Sequence, residues 1–133
     1  MSAELQWECV RKFNCFVVKR DGAFFSTERG NLMNKHSFKY SGLVHSRSVR
    51  VESAGASGVS ISRRRTKAGN KVATAFSRPA LIKATTGIKT VKAKIGGDLE
   101  KSFYRRDLIA AAQKRAAMLI KAERFWPLQL NWI

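Results

Sequence analysis

The chain has 133 residues, length enough for one compact domain, and its 26 Lys and Arg against 9 Asp and Glu give a formal net charge of +17. Self-repulsion on that scale opposes compaction unless an anionic partner offsets it, which points to nucleic acid first and an anionic membrane surface second. No run of about 18 apolar residues exists for a membrane span, the start MSAELQWECV has acids and lacks the apolar stretch of a secretory leader, and two cysteines are too few for a disulfide scaffold.

In chain order, Ser2 as N-cap, Glu4 in the first turn and Lys12 near the end predict a short helix over 2–12. Leu5 and Cys9, or Ala3, Trp7 and Val10, supply its apolar stripe. Residues 13–20, FNCFVVKR, are aromatic and β-branched, and Asp21-Gly22 follows. A type I′ turn needs positive φ at both central positions, so this pair predicts a hairpin with a returning strand over 23–27. Residues 28–46 show no periodicity and read as an ordered, irregular excursion pinned to the core by Leu32, Phe38, Tyr40 and Leu43. Alternation resumes over 48–53, with Val49 and Val51 facing one way and Arg50 and Glu52 the other, and again over 58–63 through Val59 and Ile61. VATAF at 72–76 predicts a further strand.

After Pro79 the period changes: Ile88, Val91 and Ile95 share a helical face, and Gly96-Gly97 is predicted to stop that helix. A last helix begins near Asp107, with Leu108, Ala112, Ala116 and Leu119 on its inner side and alanines that permit close packing. The sum is an α+β domain over 1–124, an antiparallel β-sheet with an N-terminal helix and two C-terminal helices, followed by an apolar tail over 125–133.

The charge is unevenly spread. No acid lies between Glu52 and Asp98, a stretch that holds Arg63, Arg64, Arg65, Lys67, Lys71, Arg78, Lys83, Lys89, Lys92 and Lys94. A face built only for solvation mixes both signs, whereas a one-sign stretch suits a phosphate backbone. Arginine adds a planar fork for two phosphate oxygens and lysine a mobile point charge. The basic loop at 63–71 therefore reads as a grip on folded RNA, against the plainer readings of a solvated loop or an import signal. Arg105, Arg106 and Arg115 extend the set, and Arg115, within an apolar arc, either snorkels to the surface or reaches an anion.

Phe38 and Tyr40 flank Lys39 in SFKYSG, which allows base stacking as well as core packing. Cys9, Cys15, His36 and His45 lack the close-paired spacing of structural zinc sites. No P-loop or paired carboxylates suggest catalysis, and no cofactor is expected. The tail FWPLQLNWI, with Phe125, Trp126 and Trp132, either folds back on its own domain or docks on a neighbouring protein or RNA groove; an interfacial membrane anchor is a remote third reading.

The motifs LQW at 5–7 with Val10-Arg11, Lys19-Arg20, Ser26-Thr27-Glu28, Asn31-Leu32, SFKYSGL at 37–43 with His45, VRVE at 49–52, the RRR run with Lys71, and YRRDL at 104–108 with Ala111-Ala112 and Arg115-Ala116 stand in a specific order. In that order the chain resembles the eukaryotic large-subunit ribosomal protein 28 family over roughly 2–120. The resemblance implies a non-catalytic constituent of the cytosolic ribosome, joined in the nucleolus, that binds large-subunit ribosomal RNA beside neighbouring ribosomal proteins. It adds no membrane or small-molecule partner. The RNA contacts then fall to Arg11, Lys19, Arg20, Lys39, Arg63, Arg64, Arg65, Lys67, Lys71, Lys83, Lys89, Lys92, Arg105, Arg106 and Arg115. Members of the family end in a strongly basic tail, from which FWPLQLNWI departs. A related nucleolar assembly-factor family shares the N-terminal domain but carries a cysteine cluster that this chain lacks, and it supplies the alternative function.

Overall fold

The computed structural model describes residues 2–55, 58–66, 74–83, 85 and 87–129, with the backbone alone for 124–129. Two compact units are present, Met1–Arg50 with Arg63–Ser77, and Val51–Ser62 with Arg78–Ile133.

The first unit opens with helix α1, Ala3–Lys12, as the capping pattern predicts: Ser2 is extended (φ −69°, ψ 150°) and its hydroxyl accepts the Leu5 N–H at 3.3 Å. The helix ends at Phe13, and the Asn14 side chain accepts the Phe16 N–H, a local turn that competes with strand pairing. Strand β1 therefore begins only at Val17, four residues later than the aromatic run suggests. It spans Val17–Arg20 and pairs antiparallel with β2, Ala23–Ser26, around Asp21 (φ 47°) and Gly22 (φ 75°), the predicted type I′ geometry.

The irregular excursion is ordered, but by a different device from the one predicted. Leu32 is buried and Tyr40 half-buried, while Phe38 and Leu43 are exposed. Its anchor is Glu28, only 4% exposed, whose carboxylate accepts from Asn31 Nδ2 (3.0 Å), Ser41 Oγ (3.2 Å) and the Leu43 N–H (3.3 Å). A buried carboxyl group is tolerated because these donors replace its water. Gly42 allows the chain to close on itself, since an added Cβ would stand 2.5 Å from the Arg29 carbonyl oxygen.

Strands β3 (Val49–Ser53), β4 (Gly58–Arg63) and β5 (Ala80–Lys83) form a three-stranded sheet in the order β3-β4-β5, with β4 and β5 antiparallel. Val49, Val51, Val59 and Ile61 are buried, as their alternation predicts. The third strand is not VATAF. Within that segment Phe76 makes an isolated bridge to Arg64, residues 72–73 lie outside the described set, and the pairing partner of β4 is ALIK beyond Pro79. Fold class is as expected, although the strands fall into two antiparallel sheets and not one.

Helices α2 (Ile88–Lys101) and α3 (Ile109–Gln129) belong to the second unit, and a short 3-10 turn at Arg106–Leu108 leads into α3. Val91, Ile95 and Leu99 of α2 and Leu108, Ala112, Ala116 and Ile120 are buried. Gly96-Gly97 does not stop α2, which runs on to Lys101. A Cβ on Gly96 would lie 2.8 Å from Gln113 Nε2, so this glycine serves the close approach of α2 and α3. The Gln113 amide also donates to the Lys92 carbonyl at 3.0 Å. Hydrophobic contact between the helices holds a glycine in helical geometry that local propensity disfavours.

Candidate nucleic-acid interface

The RRR run continues β4 outward, and main-chain bonds hold it: the Arg65 N–H donates to Ala75 O (2.7 Å) and the Ser77 N–H to Arg63 O (2.8 Å). Side chains alternate along such a segment, so the three arginines part company. Arg64 is half-buried, and its Nη1 donates to the carbonyls of Gly42 (2.7 Å), Leu43 (3.3 Å) and His45 (3.0 Å). Arg63 is half-exposed and Arg65 exposed. Lys67 and Lys71 lie outside the described residues.

Elsewhere in the first unit, Arg11 is exposed and pairs loosely with Glu8 at 3.4 Å, an interaction of little weight in water. Lys19 and Arg20 are exposed on the hairpin, where Lys19 Nζ sits 5.5 Å from the Phe24 ring centroid. Arg20 also lines an open cavity of about 600 Å³ with Val18, Phe25 and Asn34. Lys39 is exposed, 5.7 Å from the Tyr40 ring. Phe38 packs edge-on to Trp7 (centroids 6.0 Å) and against His45 (4.7 Å), so its ring is already engaged. His36 and His45 place Nε2 at 3.0 Å and 2.8 Å from the carbonyls of Arg11 and Phe38.

In the second unit, Lys83, Lys89 and Lys92 are exposed, the last two on α2. Arg105 is bidentate with Asp107, Nε and Nη2 each 2.9 Å from a carboxylate oxygen. The Arg115 Nε donates to the Val51 carbonyl at 2.9 Å. Arg106 is exposed and its guanidinium carbon lies 4.4 Å from the centroid of the Phe103 ring. Burial periodicity does not point to Phe103; its signal in the sequence is an aromatic directly ahead of YRRD that fits neither helical face. The side chains of Phe125 and Trp126 are not described, and Trp132 lies outside the described residues.

A net charge of +17, with Arg64 and Arg115 turned in to satisfy carbonyls, defines the class: a small, strongly basic α+β protein. The chain belongs to the Ribosomal L28e protein family, which it matches over residues 5–122. It is 30% identical over 128 residues to the large ribosomal subunit protein eL28 of Schizosaccharomyces pombe, covering 93% of this chain and 94% of the relative. Similarity to the protein of the same name from Dictyostelium discoideum is 33% over 118 residues, covering 86% and 83%. For the Caenorhabditis elegans protein it is 30% over 125 residues, covering 92% and 91%.

Proposed function

We propose that this protein is a structural, non-catalytic constituent of the large subunit of the cytosolic ribosome, holding folded ribosomal RNA through Arg and Lys contacts to phosphate. Membership of the family, with relatives named large ribosomal subunit proteins, is the observation that carries this reading. The net charge of +17 supports it physically.

The contact set consists of Arg11, Lys19, Arg20, Lys39, Arg63, Arg65, Lys83, Lys89, Lys92 and Arg106, with Lys67 and Lys71 on the basic loop. Arg64, Arg105 and Arg115 act one step back, by shaping the segments that carry the others. Residues 1–124 form the RNA-binding part, and the apolar tail 125–133 meets neighbouring ribosomal proteins through Phe125, Trp126 and Trp132.

Filter binding of the full chain to protein-free large-subunit RNA tests the proposal. With roughly six to ten phosphates engaged, affinity falls about 10³- to 10⁵-fold between roughly 50 and 200 mM salt. Replacing Arg63 and Arg65 by Ala lowers both affinity and salt slope without unfolding the free protein. Unchanged affinity and slope in that double variant would contradict the phosphate role. Sucrose-gradient fractionation separates the alternative: residence on nucleolar precursors and absence from translating ribosomes mark an assembly factor.

A further inference from the structure

Helix α2 ends in a motif that ordinarily uses glycine. The Phe103 N–H donates to Glu100 O at 3.1 Å and the Tyr104 N–H to Leu99 O at 3.2 Å, with Ser102 as C-cap. These are the paired bonds of a Schellman ending, whose residue after the cap is left-handed and most often Gly. Here that residue is Phe103, at φ 49°. A Cβ in this conformation crowds the carbonyl oxygen, and a bulky side chain there is an outlier.

Packing does not explain the ring. The apolar contact that accompanies the motif belongs to the next residue, Tyr104, which is half-buried, whereas Phe103 is 70% exposed. A second left-handed residue follows, Arg105 at φ 46°, clamped by Asp107. The two together turn the chain so that the Arg106 guanidinium backs one face of the Phe103 ring at 4.4 Å. With the residue 70% exposed, the ring still has surface open to solvent. Strain kept at an exposed aromatic points to work done outside the chain.

We propose that Phe103 and Arg106 form a stacking site for one unpaired base of RNA. The ring takes the face of the base, and the guanidinium stiffens the ring from behind while adding charge for a flanking phosphate. This deepens the RNA-binding reading and rests on it. A protruding ring on a turn has no walls to enclose an apolar protein side chain, but a base needs only a flat face, and such stacking is tolerant of sequence.

The test compares the full-length wild type with Phe103→Gly, Phe103→Leu and Phe103→Tyr, by filter binding to protein-free large-subunit RNA at fixed salt and by thermal melting of the free protein. Phe103→Gly raises the melting temperature, because glycine accepts the left-handed seat, yet weakens binding about 5- to 100-fold. Phe103→Leu weakens binding comparably, and Phe103→Tyr retains it. All three keep the wild-type salt slope, since no phosphate contact is removed. Equal affinity across wild type, Gly and Leu variants overturns the stacking site and leaves the electrostatic reading standing. Absence of salt-dependent binding by the wild type removes both.

Discussion

Glu28 and Arg64 are two charged side chains that this cationic chain turns inward, and they share one loop. Glu28 accepts the Leu43 N–H while Arg64 Nη1 donates to the carbonyls of Gly42, Leu43 and His45, so the main chain at 42–45 is satisfied from both sides. A buried polar group left without its partner costs more than the bond contributed. Arg64→Ala is therefore expected to lose about 1–3 kcal/mol of stability, and exposed Arg65→Ala to stay within about 0.5 kcal/mol of wild type, in urea titrations of the free protein. Equal losses would show that the two arginines do not differ in role. The sequence presents them as one run, and no property of the triplet RRR names its middle member as the inward one; the carbonyls of Gly42, Leu43 and His45, about twenty positions away, do.

At the scale of elements, the α2–α3 pair shows where local rules give way. Two adjacent glycines read as a stop, and an isolated helix would fray there, but burial of Val91, Ile95 and Leu99 beyond and before them carries the helix through. The glycines are not equivalent. Nothing lies within 4 Å of a Cβ built on Gly97, whereas Gly96 faces the Gln113 amide. Gly97→Ala is expected to stabilise by about 0.4–1 kcal/mol through helix propensity and reduced unfolded-state freedom. Gly96→Ala gains less, since it displaces Gln113 from the Lys92 carbonyl. Thermal melting of both variants checks the order, and a Gly96 variant more stable than the Gly97 variant would refute it. The hairpin turn is legible, because Asp21-Gly22 dictates it, although the start of β1 is not; the third strand of the sheet is not legible either, because ALIK and VATAF are equally β-like and only long-range pairing chooses between them.

For the whole molecule, a net charge of +17 has two consequences of opposite sign. In the free protein it is self-repulsion, which salt screens; on RNA it is attraction, which salt also screens. Raising salt from about 0.1 to about 1 M, where the screening length falls from about 10 to about 3 Å, is expected to raise the melting temperature of the free protein while releasing it from RNA. A melting temperature that falls with salt would mean that internal ion pairs outweigh the repulsion. Arg11–Glu8 and Arg105–Asp107 each leave at least one partner exposed, where a pair adds little, and 26 cationic side chains stand against 9 acidic ones, so repulsion is the larger effect.

Sequence by itself determined the charge, the family motifs, the Ser2 cap, the hairpin turn and the inward faces of Val49, Val51, Val59 and Ile61, since each depends on residues within a few positions of one another. Tertiary structure alone decided that Arg64, Arg105 and Arg115 turn to protein acceptors, that α2 passes through its glycines, and that Phe103 stands exposed beside Arg106. Those outcomes rest on acceptors and packing surfaces brought together from distant parts of the chain or on a turn whose strain its neighbours impose, and hydrogen-bond satisfaction in a crowded interior, not local preference, selects among them.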